Sequence, residues 1–443
     1  MEEHVIHTKA ESVRNVLRYI SLFKDTIIVI HIDEDIIESH LFSSHIRDIA
    51  YLHQAGLKVM IVPGAKNQID TMLNQAGISW KTVGNVRIAD ENAMPVIKMA
   101  AFDVSNKVMT QLAKEKLTAV IGNWVQARSK GVIDGVDYAT AGEIDKIDID
   151  ALISILNDGF IPIFPCIGWN TNGKPINISS QALATELAVR LSANKLFFLS
   201  SSTPLEAAFW KTELSYTSEG FIPALNVEEL KSFIQKNKDA LAKNQKLYAQ
   251  LQLALYACSN TVSRAHIVDG LEDGALLYEI YSDLGAGTMI YKSDYGHLRH
   301  MKEEDIPLVL SLMRPFVKLG ILLPRTEQML SAHLADYIVY ELDGGIKACA
   351  ALHVYDTTPR QAEISAVAVD QEYSHMGIGP KLVEHLLEEA QSAEIKDVFI
   401  LTTQTSDWFE KLGFEQSSID TLPSERRAIW TPERGSKVYR KTI

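Results

Sequence analysis

The stretch "EYSHMGIGPKLVEHLLEEA", residues 372–390, sets Gly377 and Gly379 directly ahead of an apolar helix pattern. Leu382, Val383, Leu386, Leu387 and Ala390 recur at helical spacing, which predicts a helix burying that face. Upstream, "AEISAVAVD" (362–370) alternates like a strand and places Val367 and Val369 on one face. A helix N-terminus leaves N–H groups without intrahelical acceptors and carries partial positive charge, so a glycine turn in front of it can cradle an anion. The same residues also describe a plain turn. The local pattern alone does not choose between the two.

The bulk composition narrows the setting. A chain of 443 residues is expected to hold two or three domains, each large enough for its own core. With 47% apolar and 22% charged residues it reads as globular. A net charge of −13 argues against a nucleic-acid or anionic-membrane partner, both of which need a basic face. No apolar run approaches the ~18 residues of a membrane span, and the N-terminus lacks the apolar segment of a signal peptide. Cys166, Cys258 and Cys349 are far apart, odd in number and set among apolar neighbours. They read as buried free thiols in a reducing, cytoplasmic compartment. No metal-ligand spacing is present, so no metal is expected.

Strand and helix patterns alternate through the first 290 residues. "TIIVIHI" (26–32), "KVMIVPG" (58–64), "IPIFPCI" (161–167) and "KLFFLSS" (195–201) read as buried strands. Helical stretches at 43–55, 92–115 and 180–193 separate them, and an amphipathic segment, Ser12 to Phe23, precedes the first. That alternation implies an α/β domain with a mostly parallel, doubly wound sheet. A helical stretch (226–257) and a strand "RAHIVDG" (264–270) follow. The pattern ends near 289–297, giving domains of residues 1–290 and 297–443. The second has α+β character: a helix (303–319), strands 336–342 and 346–355, the strand and helix above, "KDVFILTT" (396–403) and "DWFEKLGF" (407–414).

The order strand, glycine turn, helix, strand, then "WFEKLGF" resembles the GNAT acetyltransferase superfamily. Its Q/R-x-x-G-x-G/A turn reads here Ser374-His375-Met376-Gly377-Ile378-Gly379, with Ser in the first position. The resemblance implies a cradle for the pyrophosphate of acetyl-CoA built from His375, Met376, Gly377, Ile378 and Gly379, with Val367 and Val369 on the preceding strand. Where many members carry a tyrosine to protonate the thiolate, this chain has Phe409, which has no proton to give.

Residues ~10–441 resemble the bacterial two-lobed N-acetylglutamate synthases, which join an amino-acid-kinase-like lobe to a GNAT lobe. The match is carried by "VPGAKNQID" (62–70), "GVDYATAGEIDKID" (135–148), "MRPFVKLGILLPRTEQML" (313–330), "LTTQTSDWFEKLGF" (401–414) and "LPSERRAIW" (422–430). The resemblance implies acetyl transfer from acetyl-CoA to L-glutamate, with Glu363 as general base and Thr402 as the hydroxyl near the thiolate. Without it, Glu363 reads as an edge-strand glutamate and Thr402 as a good β-former. An amine that is protonated at neutral pH needs a base before it can attack. A dianionic substrate also needs gathered cations. The tail "SERRAIWTPERGSKVYRK" (424–441) holds six Lys/Arg against two acids. By resemblance Arg325, Arg426 and Arg434 grip the two carboxylates and Ser436 adds a hydrogen bond. Sequence leaves open whether Arg426 or Arg427 points inward. A solvated basic face is the plainer reading for Arg440 and Lys441.

In the first lobe the kinase's phosphate-binding glycines are replaced by "HIDEDII" (31–37), so Asp33 and Glu34 stand where phosphate would approach and would repel it. Gly64 reads as a tight turn, and "SSSTP" (200–204) replaces the nucleotide segment. The fold is expected to persist without kinase chemistry. "HIVDGLEDGALLYEIYSDLGAGT" (266–288) resembles the arginine-binding signature of arginine-sensitive synthases and kinases, with Tyr19 matching its N-terminal tyrosine. That implies feedback inhibition by L-arginine, the guanidinium pairing with Glu279, His266 beside it, and the Gly285–Gly287 loop meeting its α-groups. A helix C-cap and a core histidine are the local alternative. The family further implies a homo-oligomer, a hexamer. Two rival readings stay open: an acetyltransferase for another amino acid, and a silent arginine-sensing partner protein.

Overall fold

The computed structural model describes residues 13, 16–17, 19–84, 86–201, 205–212, 214, 216, 220–282, 285–292, 296–342 and 345–443, apart from the side chains of residues 372, 375 and 376. The His375 and Met376 side chains, residues 202–204 of the "SSSTP" segment, and residues 293–295 at the expected domain boundary lie outside it. The chain divides into two compact units, residues 1–293 and 294–443.

The first unit is built on an eight-stranded sheet. Its strands are β1 (Ile27–Ile32), β2 (Lys58–Pro63), β3 (Ala119–Ile121), β4 (Ile161–Ile163), β5 (Lys195–Ser200), β6 (Ala224–Asn226), β7 (Arg264–Asp269) and β8 (Thr288–Tyr291), in the order β6-β8-β7-β5-β1-β2-β4-β3. Only β7 and β8 run antiparallel. Alternation along β1 explains the two covering layers. Ile28, Ile30 and Ile32 join one core with Ile46, Ile49 and Leu52 of the helix Phe42–Gln54, whereas Val29 joins the other with Leu183 and Leu187 of the helix Ser180–Arg190. "IPIFPCI" is not one strand. Pro165 has no N–H to donate, and the run splits into β4 and Ile167–Trp169, which belong to different sheets. A four-stranded sheet, Pro175–Asn177, Ile167–Trp169, Val125–Ser129 and Gly142–Ile147, was not anticipated. The three cysteines are free and buried, and burial pushes the thiols up to about 11 for Cys166 and about 12 for Cys258 and Cys349. Among the described residues no helix is long and apolar enough to cross a membrane.

The second unit holds a seven-stranded sheet: β9 (Gly296–His300), β10 (Tyr337–Leu342), β11 (Gly345–Tyr355), β12 (Gln361–Val369), β13 (Asp397–Thr402), β14 (Glu415–Ser417) and β15 (Lys437–Thr442). Their order is β9-β10-β11-β12-β13-β15-β14. Helix α1 (Ile306–Lys318) packs on one face through Ile306, Val309 and Met313. Helix α2 (Ile378–Ser392) packs on the other through Leu382, Val383, Leu386 and Ala390. The tail contains β15, so the solvated reading of Arg440 and Lys441 is corrected. Arg440 pairs with Asp397 and Lys441 donates to the Leu412 carbonyl.

Two departures from regular pairing shape this sheet. Between β11 and β12 the register slips by one residue: Ala351 faces Ser365, but Cys349 faces Ala368. Ala366, at φ 54, takes the left-handed backbone of a bulge. The extra residue inverts the alternation, so Ala362 and Ile364 face α2 before the bulge, and Val367 and Val369 do so after it. The second departure is the parallel pair β12–β13. It holds over Gln361↔Asp397, Ala362↔Val398 and Glu363↔Phe399, and the rest of both strands diverges. Beyond Glu363 the facing edges of β12 and β13 are therefore unpaired with each other. The hydrogen-bonded sheet has a gap there.

Candidate active site

Glu363 is the last residue of β12 paired to β13, and it is 5% exposed. It lies on the face opposite α2, since its neighbours Ala362 and Ile364 belong to the α2 core. Arg426, on a short helix Ser424–Ala428, donates from Nε to Glu363 Oε2 at 2.7 Å and from Nη2 to Oε1 at 3.2 Å. The Tyr355 hydroxyl donates to Oε2 at 3.1 Å. Burial, and then the Glu363 charge, hold that phenol above its usual range, so it stays protonated.

Three arginines converge on this face. Arg325 reaches Ser365 Oγ at 3.4 Å and the Leu323 carbonyl at 3.3 Å. Arg434 donates to the Ile321 carbonyl at 2.9 Å. Burial, then the charges of Arg325 and Arg426, push the Arg434 guanidinium down from its usual range. Arg427 instead points outward, 3.8 Å from Asp420 with its side chain 47% exposed. Ser436 is buried and accepts a bond from Trp430 Nε1 at 3.1 Å. Of the sequence-derived set, Arg426 contacts Glu363 directly, Arg325 reaches Ser365 two residues along the same strand, and Ser436 is bonded to Trp430. The difference is Arg426, which holds the expected base itself.

Thr402 ends β13, three residues beyond Phe399, roughly 10 Å along the strand. Val398 and Ile400 face α2, and alternation puts Thr402 with them. Glu363 and Thr402 therefore face opposite sides of the sheet, next to the stretch where the β12–β13 pairing has ended. The Thr405 amide donates to Thr402 Oγ1 at 3.0 Å, and the two hydroxyls share a bond of 2.8 Å. Phe409 is buried in the α2 core, edge-on to Trp408 and Phe414, as a residue without a proton to give can be.

The α2 side fits an anionic group. Helix α2 spans 15 residues and no side chain caps its N-terminus. Gly377 has φ 64 and nothing within 4 Å of the position a Cβ would take, so the turn is both glycine-dependent and open. Gly379 is different. A Cβ there would meet the Trp408 indole at 3.0 Å and Val369 at 3.7 Å, so this glycine lets α2 close on its neighbours.

Sequence reasoning missed several partners. Tyr355 lies in none of the matched stretches, and Thr405, though inside the matched stretch 401–414, has no role assigned there; the strand pairing and the turn after β13 bring them in. His353 faces Glu363 across β11–β12 and bonds through Nδ1 to Asp336 at 2.7 Å. With His333 these are three potential metal-ligating groups whose donor atoms lie within 4.8 Å of one another, a grouping invisible in sequence spacing.

In the first unit, Glu279 is 7% exposed on the helix Ala275–Tyr281. Its Oε1 meets His266 Nδ1 at 2.5 Å, and its Oε2 accepts from the amides of Ala286 (2.6 Å) and Gly287 (2.8 Å). Those amides go to Glu279, not outward as the sequence reading expects. Burial lowers His266 to about 4, so its contact with Glu279 is a neutral imidazole donating from Nδ1. His266 Nε2 is buried without a partner. Gly285 (φ 70) leaves room for the Glu279 carboxylate and Gly287 for the Ile267 carbonyl. Tyr19 is buried and stacks on Phe23 at 5.8 Å. Lys195 Nζ stands 4.4 Å from that ring, and neither it nor its strand neighbour Arg264 was foreseen.

A cavity of about 490 Å³ in the same unit is lined by His31, Asp33, Glu34, Lys66, Arg87 and Lys246 among others. Lys246 pairs with Asp33 (3.0 Å) and Asp35 (2.9 Å), so the acids of "HIDEDII" are partly neutralised. Gly64 matters for space: a Cβ there would lie 2.7 Å from Glu34 Oε2. The Glu34 carboxyl lies against Gly64 at the edge of this cavity.

Residues 26–269 match the amino acid kinase family, and residues 311–414 the acetyltransferase (GNAT) family. The chain is 32% identical over 426 residues to an amino-acid acetyltransferase of Actinobacillus pleuropneumoniae serotype 7, covering 95% of each. It is 30% identical over 440 residues to the amino-acid acetyltransferase of Pseudomonas syringae pv. tomato, covering 97% of this chain and 98% of the other. Among solved structures it resembles N-acetylglutamate synthase from Neisseria gonorrhoeae complexed with coenzyme A and L-arginine, with a TM-score of 0.80, 28% identity and coverage of 98% and 99%. The same enzyme complexed with coenzyme A and N-acetyl-glutamate gives a TM-score of 0.61 at 29% identity, with the same coverage.

Proposed function

The chain belongs to the amino-acid acetyltransferases, and we propose that it transfers the acetyl group of acetyl-CoA to the α-amine of L-glutamate, the entry reaction of arginine synthesis, under inhibition by L-arginine. One observation carries the substrate assignment: a buried carboxylate, Glu363, set among Arg325, Arg426 and Arg434 in a protein of net charge −13. Cations concentrated on one face of an acidic protein match a dianionic amino acid.

The roles follow from the two faces. Acetyl-CoA supplies a thioester-activated acetyl group, and the open N-terminus of α2 at Gly377 would take its pyrophosphate. On the opposite face the arginines and Ser436 hold the substrate's carboxylates. Glu363 takes a proton from the substrate ammonium, directly or through one water. The amine reaches the acetyl group through the gap between β12 and β13. Thr402, with the Thr405 amide donating to its oxygen, directs its hydroxyl proton at the departing sulfur. Arginine binding is assigned to His266 and Glu279. His266 Nε2 is an unsatisfied buried acceptor, and a carboxylate with three bonds keeps room for one more donor.

Steady-state assays with acetyl-CoA and each common amino acid test this reading. L-glutamate is expected to exceed L-glutamine by about 10²-fold or more in kcat/KM, because glutamine leaves a partly buried arginine unpaired. A preference for a neutral or cationic amine would refute it.

A further inference from the structure

The three guanidiniums of the acceptor face are not equivalent. Among the described residues, Arg325 and Arg434 donate to neutral oxygens, those of Ser365, Leu323 and Ile321. Arg426 alone is bonded to a charged group, and that group is Glu363. The pair is two-pronged and well shielded, its side chains 13% and 7% exposed. A substrate ammonium approaching Glu363 in this arrangement meets a guanidinium already bonded to both carboxylate oxygens.

Resting on the assignment of Glu363 as base, we infer that Arg426 is a carboxylate-reading latch, which releases Glu363 only to a substrate whose own carboxylate takes its place. The exchange conserves charge. Arg426 moves its two N–H donors from Glu363 to a substrate carboxylate, so it is never left buried and unpaired. Glu363 keeps only the Tyr355 hydrogen bond. One proton then passes from the substrate ammonium to a Glu363 oxygen, breaking an N–H bond and forming an O–H bond, and leaves a neutral amine and a neutral carboxylic acid. An amine lacking that carboxylate cannot relieve Arg426 and meets a blocked base. Selection thus falls on the chemical step as well as on binding, because the correct ligand assembles the site that acts on it.

The test is Arg426→Gln assayed with L-glutamate, with L-norvaline, which lacks the side-chain carboxylate, and with 4-aminobutyrate, which lacks the α-carboxylate. For L-glutamate kcat/KM is expected to fall about tenfold to a hundredfold, the loss of a charge-assisted pair. For the analogue lacking the carboxylate that Arg426 reads, the variant is expected to be at least about threefold faster than wild type, because the base is already free. Unchanged kcat/KM for both analogues would reduce Arg426 to a binding clamp, and a fall for all three amines would make it a support for Glu363. Either result overturns the latch. Coenzyme A affinity equal to wild type certifies the fold, and should Arg426→Gln lose it, Arg426→Lys replaces it with the same expectation at smaller amplitude. Wild-type protein inactive on L-glutamate would instead sink the functional assignment.

Discussion

Glu363 shows what one position on a strand can be made to do. Alternation turns it away from α2, the end of the β12–β13 pairing puts it at the mouth of the gap, and Tyr355 and Arg426 occupy its oxygens. Removing its charge while keeping its shape isolates the chemical role. Glu363→Gln is expected to bind acetyl-CoA normally and to turn over at least about 10²-fold more slowly. Turnover within a few-fold of wild type from pH 6 to 9 would exclude Glu363 as base. Its neighbours were only partly legible. Arg325, Arg426, Arg434 and Ser436 could be reached through resemblance. Tyr355, Thr405 and His353 could not, because strand register and a turn bring them to the site, and an isolated Tyr, Thr or His has no local signal.

At the level of elements, the periodic runs were readable and the irregular ones were not. Strand β12, the glycine turn and α2 show in the sequence because apolar spacing and glycine placement have a direct conformational meaning. Strand β15 was hidden in a basic tail. Only Val438 and Tyr439 are buried among its six residues, Lys437 is exposed, and Arg440 and Lys441 are satisfied by Asp397 and the Leu412 carbonyl. The bulge at Ala366 was equally silent, since alanine carries no preference for positive φ. The turn after β1 yields a prediction. Burial, then the Asp33 charge, raise the Glu34 carboxyl from 4.5 to about 7. An acid raised above its unfolded value contributes stability that is full below about pH 4.5 and is lost as pH rises through about 7. Glu34→Gln is therefore expected to stabilise the protein at pH 8 by roughly 1–2 kcal/mol, the gain shrinking toward zero by pH 5. Thermal melts at the two pH values check this, and an equal difference at both would refute it.

At the scale of the whole molecule, the regulatory assignment joins a ligand site in one unit to catalysis in the other. Glu279→Ala removes the carboxylate assigned to arginine. Arginine affinity is expected to fall about tenfold to a hundredfold, as for loss of a charge-assisted bond. Uninhibited acetyl transfer is expected to stay near wild type, because Glu279 belongs to the other unit. Linkage requires the converse: if arginine disfavours the active state, glutamate or coenzyme A that favours it must weaken arginine binding by the same factor. Titration calorimetry with and without those ligands measures both arms. Inhibition by arginine that is unaltered in Glu279→Ala would show that the effector binds elsewhere.

The position of β15 has a consequence for how the protein is made. Strands β13 and β14 leave the ribosome first, yet they never touch in the finished sheet, because β15 lies between them. Until residues 437–442 emerge, the nascent chain carries two strand edges with a vacant slot, a template for pairing with other chains. Arg426, Arg434 and Ser436 lie on the segment that β15 pulls into place. A chain still in synthesis therefore has its glycine turn and α2 long before it has an acceptor face. The acceptor face is completed only when β15 inserts between β13 and β14.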